Sequence, residues 1–422
     1  MFYTNGSKVL NRERELMPNG DSLLIGQDSD IGSSITQGVV ILPQPSSNKF
    51  YIIQLQYAGV RYSIVDMDMD GGFGDVEFKN VLIDTGYYIR EHMQAIKHGN
   101  GIDWWILMHR YDEFIGALDT TLSFETFLLT ESEIQGPFLQ TFGPPFNIND
   151  GGDGGQMVVS RNGDKLAYAR GKFIDLYDFD RCNGELSDLK TIQYSEEFWV
   201  YGLAFSGNAS KLYASMTDAL FHPNQLIQYC LDCPDSLKQT VFNNTLGEYS
   251  FGQMLLGPDE RIYISLPKVS WPNDTLTFFN NNLCVINYPN ELFPVCDFDT
   301  ATISLGMGRA TYGLPNMPNY NLGPLHGSDC DTVKSPIQTV LPPNDYNIYP
   351  NPVNDHFIIS SGYTGNKIDL ELYNSVGEIV FKQQDILLNT EINLPQLPSG
   401  MYTVKLMEEN ILLFTDKIII KH

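Results

Sequence analysis

The sequence predicts an all-β chain: a β-propeller, incomplete at its N-terminal end, followed by a small immunoglobulin-like β-sandwich. Three observations predict it. A turn-and-strand unit recurs, as Ser160-Arg-Asn-Gly-Asp-Lys-Leu-Ala-Tyr168, as Ser206-Gly-Asn-Ala-Ser-Lys-Leu-Tyr213 and as Gly257-Pro-Asp-Glu-Arg-Ile-Tyr263. Its cations Lys165, Lys211 and Arg261 stand 46 and 50 residues apart, the period of four-stranded propeller blades. From Ile348 onward apolar and polar residues alternate with period two, the signature of half-buried strands. The composition agrees: 18% charged and 12% aromatic residues with 36 glycines suit strands and turns better than helices.

The 422 residues leave room for two or three domains, and 42% hydrophobic residues are enough to form cores. With 26 basic against 51 acidic residues the net charge is −25. Such a field repels phosphate backbones, so nucleic acid is excluded as a partner. It reads as colloidal solubility or, more sharply, as attraction of divalent cations. No run of 18 apolar residues offers a membrane-spanning segment. Met1-Phe-Tyr-Thr-Asn-Gly6 has neither the basic start nor the apolar core of a signal peptide. It reads as a strand entering a turn, so further residues upstream, with a Sec signal and the rest of a blade, are expected.

Taken in order, residues 2–16 hold one short strand and a turn. Val39–Leu42 and Lys49–Ile53 flank a Pro-rich turn, a copy of the repeat with different turn chemistry. Arg61–Val65 and Val76–Phe78 follow, separated by an acidic, glycine-rich loop. Gln94–Ile106 is another copy, in which Asp103-Trp-Trp105 replaces Lys-Leu-Tyr. Leu122–Leu129 and Ile134–Phe142 continue it, and Asp150–Gly155 leads to the Ser160 copy. The total is five units and an N-terminal fragment, so residues 1–320 form the propeller. Residues 321–346, with Pro324, Pro336, Pro342 and Pro343, read as a linker.

Residues 347–422 form the sandwich. Ile368, Leu370 and Leu372 face one way and Asp369 and Glu371 the other. Asn374-Ser-Val-Gly377 turns the chain, and Tyr402, Val404 and Leu406 share a face of a later strand. Six or seven strands of this kind build a small sandwich core.

Four motifs in this stretch carry a resemblance. They are Asn347-Ile-Tyr-Pro-Asn-Pro352, Leu372-Tyr-Asn-Ser-Val-Gly377, Leu397-Pro-Ser-Gly-Met-Tyr402 and Lys417-Ile-Ile-Ile-Lys421. In that order they resemble the C-terminal sorting domain of type IX secretion cargo in Bacteroidetes. The resemblance implies an address rather than a chemistry. After Sec export, the type IX export machinery of the outer membrane reads the tail, which is usually removed. It marks Tyr349, Pro350, Asn351, Pro352, Gly400, Tyr402, Lys417 and Lys421 as sorting-signal residues, and places the protein outside the cell or on the outer-membrane surface. Residues 1–320, through Phe2–Gly6, Met17–Gly20, Asp103–Trp105 and Tyr312–Pro315, are similar to the propellers that often precede such tails.

Asp66-x-Asp68-x-Asp70-Gly71 with Glu77 matches the twelve-residue calcium loop of EF-hands, whose oxygens at positions 1, 3, 5 and 12 suit a hard cation. The flanks are strands rather than helices, and a decorated hairpin turning on Gly71, Gly72 and Gly74 is the competing reading. Cys284 and Cys296 flank a hairpin at a spacing open to a disulfide in an oxidising compartment, or are buried free thiols. Cys230-Leu-Asp-Cys233 lacks the helix N-terminus of a redox motif and the second pair of a zinc site. His92, His98 and His109 lie near Trp104 and Trp105, as a metal or base cluster or as core. Neither a nucleophile elbow, nor H-E-x-x-H, nor a P-loop is present. The chain therefore reads as a secreted binding or structural module with an unknown extracellular ligand, a glycan or a protein. The alternative is a propeller enzyme acting on polysaccharide or peptide.

Overall fold

The computed structural model describes residues 1–23, 35–56, 59–84, 89–110, 118–119, 123–143, 146–147, 154–193, 198–217, 224–233, 237–244, 249–267, 277–331, 346–361, 368–374, 378–408 and 411–421. The chain divides into two compact units, Met1–Val333 and Lys334–His422.

The recurring turn explains the strands around it. Ser160 Oγ accepts the N–H of Lys165 (3.0 Å) and Ser206 Oγ that of Lys211 (3.0 Å). The serine of these two copies therefore closes the turn that starts the next strand. The cation then pairs with an acid beyond it: Lys165 with Asp178 (2.9 Å), Lys211 with Asp232 (2.9 Å). In the last copy Arg261 pairs with Asp259 of its own turn (2.7 Å).

Among the described residues of the first unit these turns organise five antiparallel four-stranded sheets. The first is Val39–Pro43, Lys49–Gln56, Gly59–Asp66 and Asp75–Asp84. The second is Ile89–Lys97, Trp104–Arg110, Ser123–Leu129 and Ile134–Thr141. The third is Met157–Val159, Lys165–Arg170, Phe173–Asp180 and Glu185–Gln193. The fourth is Trp199–Phe205, Lys211–Thr217, Asn224–Cys230 and Lys238–Asn244. The fifth is Met254–Leu256, Ile262–Ser265, Asn282–Ile286 and Phe298–Ser304. The first strands of successive sheets adjoin, and apolar clusters fill the space between faces. Trp104 and Tyr51 join sheets one and two, Trp105 and Tyr168 two and three, Leu203 and Ala167 three and four, Tyr213 and Ile264 four and five. This is the propeller arrangement. The N-terminal fragment, Tyr3–Thr4 paired with Val9–Leu10, covers the other face of the first sheet: Val9, Met17 and Leu23 bury against Ile52, Val65 and Val76.

Where the first strands converge, buried glutamines join one sheet to another. Gln37 Nε2 donates to the Met157 carbonyl (2.9 Å) and Gln37 Oε1 accepts the Met157 N–H (2.7 Å). Gln94 reaches the same carbonyl (2.7 Å). Gln156 Oε1 accepts from Leu203 (2.9 Å) and Met254 (2.8 Å). Gln253 donates to the Thr36 carbonyl (2.7 Å), which links the fifth sheet to the first. In the fourth sheet the equivalent place belongs to Gly202, where a Cβ would collide with the Gly252 carbonyl. Burying so many amides is tolerable because each is bonded.

The segment after the fifth sheet also binds this axis. The Leu314 N–H donates to Gln253 Oε1 (2.7 Å), Asn316 Nδ2 to the Met93 carbonyl (2.8 Å) and the Tyr320 hydroxyl to the Ile41 carbonyl (2.8 Å). It ends tied to the third sheet. Arg181 donates to the Gly323 carbonyl (2.6 Å), and Cys330 forms a disulfide with Cys182. The start of the expected linker, residues 321–331, is therefore part of the propeller. Residues 332–345 lie outside the described residues, as do 150–153 of the Asp150–Gly155 connection and 375–377 of the Asn374 turn.

The second unit has two sheets. Asn347–Tyr349, His356–Ser360 and Glu391–Asn393 form one; Ile379–Ile386, Ile368–Tyr373, Gly400–Glu408 and Ile411–Ile420 form the other. Ile368, Leu370, Leu372, Tyr402, Val404 and Leu406 are all buried, and Phe357, Ile359 and Ile418 complete their core.

Candidate functional site

Three of the four tail motifs meet in space, and the last strand is where they meet. Along residues 417–421 the alternation is strict: Ile418 and Ile420 are buried, Lys417, Ile419 and Lys421 exposed. One edge of this strand pairs with Gly400–Glu408, so Gly400 stands opposite Ile420, Met401 opposite Ile419 and Tyr402 opposite Ile418. The Tyr402 ring is buried and its hydroxyl donates to the Pro398 carbonyl (2.8 Å), which fixes the Pro398-Ser-Gly400 turn. The other edge receives the opening motif. Val353 donates to the Ile419 carbonyl (2.7 Å) and its own carbonyl accepts from Lys421 (2.8 Å). One step earlier the Asn351 side chain does the same work: Nδ2 donates to the Lys417 carbonyl (3.0 Å) and Oδ1 accepts the Ile419 N–H (3.0 Å).

The outward result is an exposed strip. Met401 is 57% and Ile419 46% exposed, side by side, with Lys417 and Lys421 on the same face of the strand as Ile419. Tyr349, Pro350, Asn351 and Pro352 are exposed at the other sheet's first strand and the turn after it. Further along the same four-stranded sheet Glu371 accepts from Lys382 (2.8 Å) and Tyr373 (2.5 Å), which hold its carboxyl below the usual range. These lysines and apolar side chains offer a surface that can bind a protein; nothing in the set is arranged for bond-breaking chemistry.

In the propeller, the acidic loop has its own cation. Lys49 Nζ lies 3.2 Å from Asp66 and 2.5 Å from Glu77, and these two bonds raise its pKa. Asp68 accepts from Asn48 Nδ2 (2.6 Å), and the Asp68 N–H donates to Asp66 Oδ1 (2.9 Å), the main reason the Asp66 carboxyl is held low. Asp70 begins a short 3-10 turn, Asp70–Gly72, with Gly71 and Gly72 at positive φ. Lys49 and Asp66 are cross-strand partners, as are Lys165 and Asp178. The first Asp of the calcium pattern therefore occupies the place of the acid that answers the repeat cation. The signal was present in Lys49-Phe-Tyr51, which parallels Lys165-Leu-Ala and Lys211-Leu-Tyr213.

Of the two readings of Cys284 and Cys296, the disulfide candidate is not formed: both are free, buried thiols. The strand register passes Cys284 at a bulge between the Leu283–Ile303 and Val285–Asp299 pairs, so Cys284 Sγ meets the Ala301 N–H (3.4 Å) rather than Cys296. Burial pushes the Cys284 thiol up to about 12 and raises that of Cys296. The disulfides are Cys182–Cys330 and Cys230–Cys233. Among the described residues Cys230, Asp232 and Cys233 are the metal-type side chains that converge, and their two sulfurs are bonded to each other.

The histidines are framework. Both ring nitrogens of His98 are bonded, Nε2 to the Cys182 carbonyl (3.1 Å) and Nδ1 to the Asn100 N–H (3.0 Å). Trp105 donates to the Arg181 carbonyl (2.8 Å), and Trp104 is core. His92 and His109 are buried against Tyr168, whose hydroxyl meets His109 Nδ1 at 3.2 Å. Burial first, then His92 and Arg170, push the His109 pKa well below its usual value.

Comparison with known proteins bears on the tail. Residues 347–421 match the family model described as the secretion system C-terminal sorting domain, so the chain carries such a domain. No curated protein matches the chain by sequence. Similar solved structures include a functionally unknown protein from Desulfotomaculum acetoxidans, 10% identical with TM-score 0.40, covering 90% of both chains. Another is an exo-β-1,3-galactanase from Phanerochaete chrysosporium, 12% identical with TM-score 0.38, covering 99% of both chains. A third is a gluconolactonase from Xanthomonas campestris, 14% identical with TM-score 0.35, covering 64% of this chain and 79% of that one. Likeness at this level carries no argument about activity.

Proposed function

We propose that this chain is a secreted or surface-displayed β-propeller, acting as a binding or structural module and exported by the type IX machinery through its C-terminal sorting domain. The observation that carries the reading is the convergence of the opening and turn motifs on the exposed Lys417–Lys421 strand. Residues far apart in sequence share one solvent-facing surface, as a receptor-read address requires. The axis of the propeller supports a module over an enzyme. Bonded amides of Gln37, Gln94, Gln156 and Gln253 occupy it, and Glu91 there is tied to the hydroxyl and N–H of Thr36. The ligand class proposed is an extracellular glycan or protein.

The test is transplantation. Residues 334–422 fused to an unrelated Sec-exported reporter should bring it to the surface of a type IX-competent host, and removal of residues 417–422 should leave it in the periplasm. Equal surface labelling of intact cells with and without the tail would sink the reading.

A further inference from the structure

An edge strand is held in register by whatever pairs with its free backbone groups. In the last strand these groups belong to residues 417, 419 and 421, and Val353 satisfies only the Ile419 carbonyl and the Lys421 N–H. Two more, the Lys417 carbonyl and the Ile419 N–H, are taken by the two ends of one side chain, the Asn351 amide, and the Lys417 N–H donates to Asp416 Oδ1 (2.7 Å). Asn351 thus extends a single parallel bridge by one step without a further strand. A carboxamide is suited to this, since it carries a donor and an acceptor in one plane. An alanine offers neither, and an ionised aspartate offers an acceptor at both ends.

Asn351 is itself exposed, and its two partners are backbone groups of the strand that carries the lysines. Fraying there would turn Lys417 and Ile419 out of line with Met401 while the buried Ile418 and Ile420 anchor the rest. We infer that Asn351 is a positioning residue of the sorting site. Its side chain clamps the Lys417–Ile419 edge and so fixes the strip of Lys417, Ile419, Lys421 and Met401 in the form a receptor reads. The partner chemistry fitting that strip is a protein surface with an apolar contact flanked by carboxylates. The inference rests on the sorting reading above and adds to it the residue that makes the two chain-distant motifs one surface.

The experiment uses the full chain behind a cleavable Sec leader in a type IX-competent host, with purified protein for hydrogen exchange. In Asn351→Ala the Ile419 amide should exchange about tenfold faster, the loss of one hydrogen bond, while the amide of Val404 is unchanged. Surface delivery should fall by a similar factor with the tail still folded. Asn351→Asp, which keeps the acceptor for Ile419 but repels the Lys417 carbonyl, should fall between the parent and the alanine variant. Full delivery by a folded Asn351→Ala chain with a fast-exchanging Ile419 amide would overturn the inference. If the alanine variant fails to fold, Asn351→Asp decides, and parental delivery by that variant overturns it equally. A chain lacking residues 417–422 is the control. Its normal delivery would refute the sorting reading itself, whereas its loss beside a fully delivered Asn351→Ala refutes only the clamp.

Discussion

The propeller and the sandwich each bind their final segment back onto an earlier part of the unit, and they do it by opposite means. In the propeller the return is covalent: Cys330 is bonded to Cys182 across 148 residues of sequence, after Leu314, Asn316 and Tyr320 have bonded to the axis. In the sandwich the return is a side-chain amide and a single parallel bridge, Asn351 and Val353 on Lys417–Lys421. The covalent closure ends a segment whose partners are inner strands. The amide closure leaves one face of the strand open, with Lys417, Ile419 and Lys421 outward. A closure that only stabilises can be permanent and hidden. One that also presents a surface must leave that surface free.

The largest effect that would break this contrast is loss of the covalent return. Opening a loop of this length removes a constraint on the unfolded chain of about 5 kcal/mol in the chain-entropy account. Cys182→Ser with Cys330→Ser should therefore lower the unfolding transition of the propeller strongly and leave that of the sandwich in place. Calorimetry of the intact chain resolves the two. A sandwich transition that shifted equally would show that the units do not unfold independently.

A smaller effect is expected in the sandwich. Leu406 is fully buried in its core, so Leu406→Ala should cost about 3 kcal/mol through lost burial and a residual cavity. Only the sandwich transition should move. A cost below about 0.5 kcal/mol would mean that this core collapses around the gap.

The smallest effect separates the units by acid. His109 is buried in the propeller, and burial pushes its pKa well below the ordinary histidine value. Above the ordinary histidine range neither folded nor unfolded chain holds the proton, and pH has no effect through this group. Below about pH 6.5 the unfolded propeller takes up a proton that the folded one refuses, so stability falls by about 1.4 kcal/mol per pH unit for each such group. Urea unfolding at pH 7 and pH 5.5 should show the fall in the propeller, reduced in His109→Phe. An unchanged slope in that variant would assign the acid sensitivity to other groups.

The features that could be read in advance are those set within a few residues. The Ser160, Ser206 and Gly257 turns announce hairpins because a hydroxyl or glycine, a left-handed-prone turn and a strand follow in a fixed local order. The alternation of Ile368–Leu372 and Tyr402–Leu406 announces a buried face because successive side chains of a strand point to opposite sides. The sorting motifs were visible for the same reason, as short contiguous strings. What these patterns do not encode is which distant groups meet. Gln94, Gln156 and Gln253 each precede two or three apolar residues and Gln37 precedes Gly38, yet the role of these four axial glutamines exists only where strands of different sheets converge. Lys49 was legible as a repeat cation, but that Asp66 and Glu77 both answer it depends on a register across three strands. Cys182 is bonded to Cys330, 148 residues away, while Cys284 and Cys296, twelve residues apart in sequence, stay free and buried. Asn351 looked like one letter of a motif, and its amide has a task only because folding lays the other end of the unit, Lys417 to Ile419, against it. Local sterics and burial act through neighbours along the chain, whereas closure acts through neighbours in space, and those are chosen by packing.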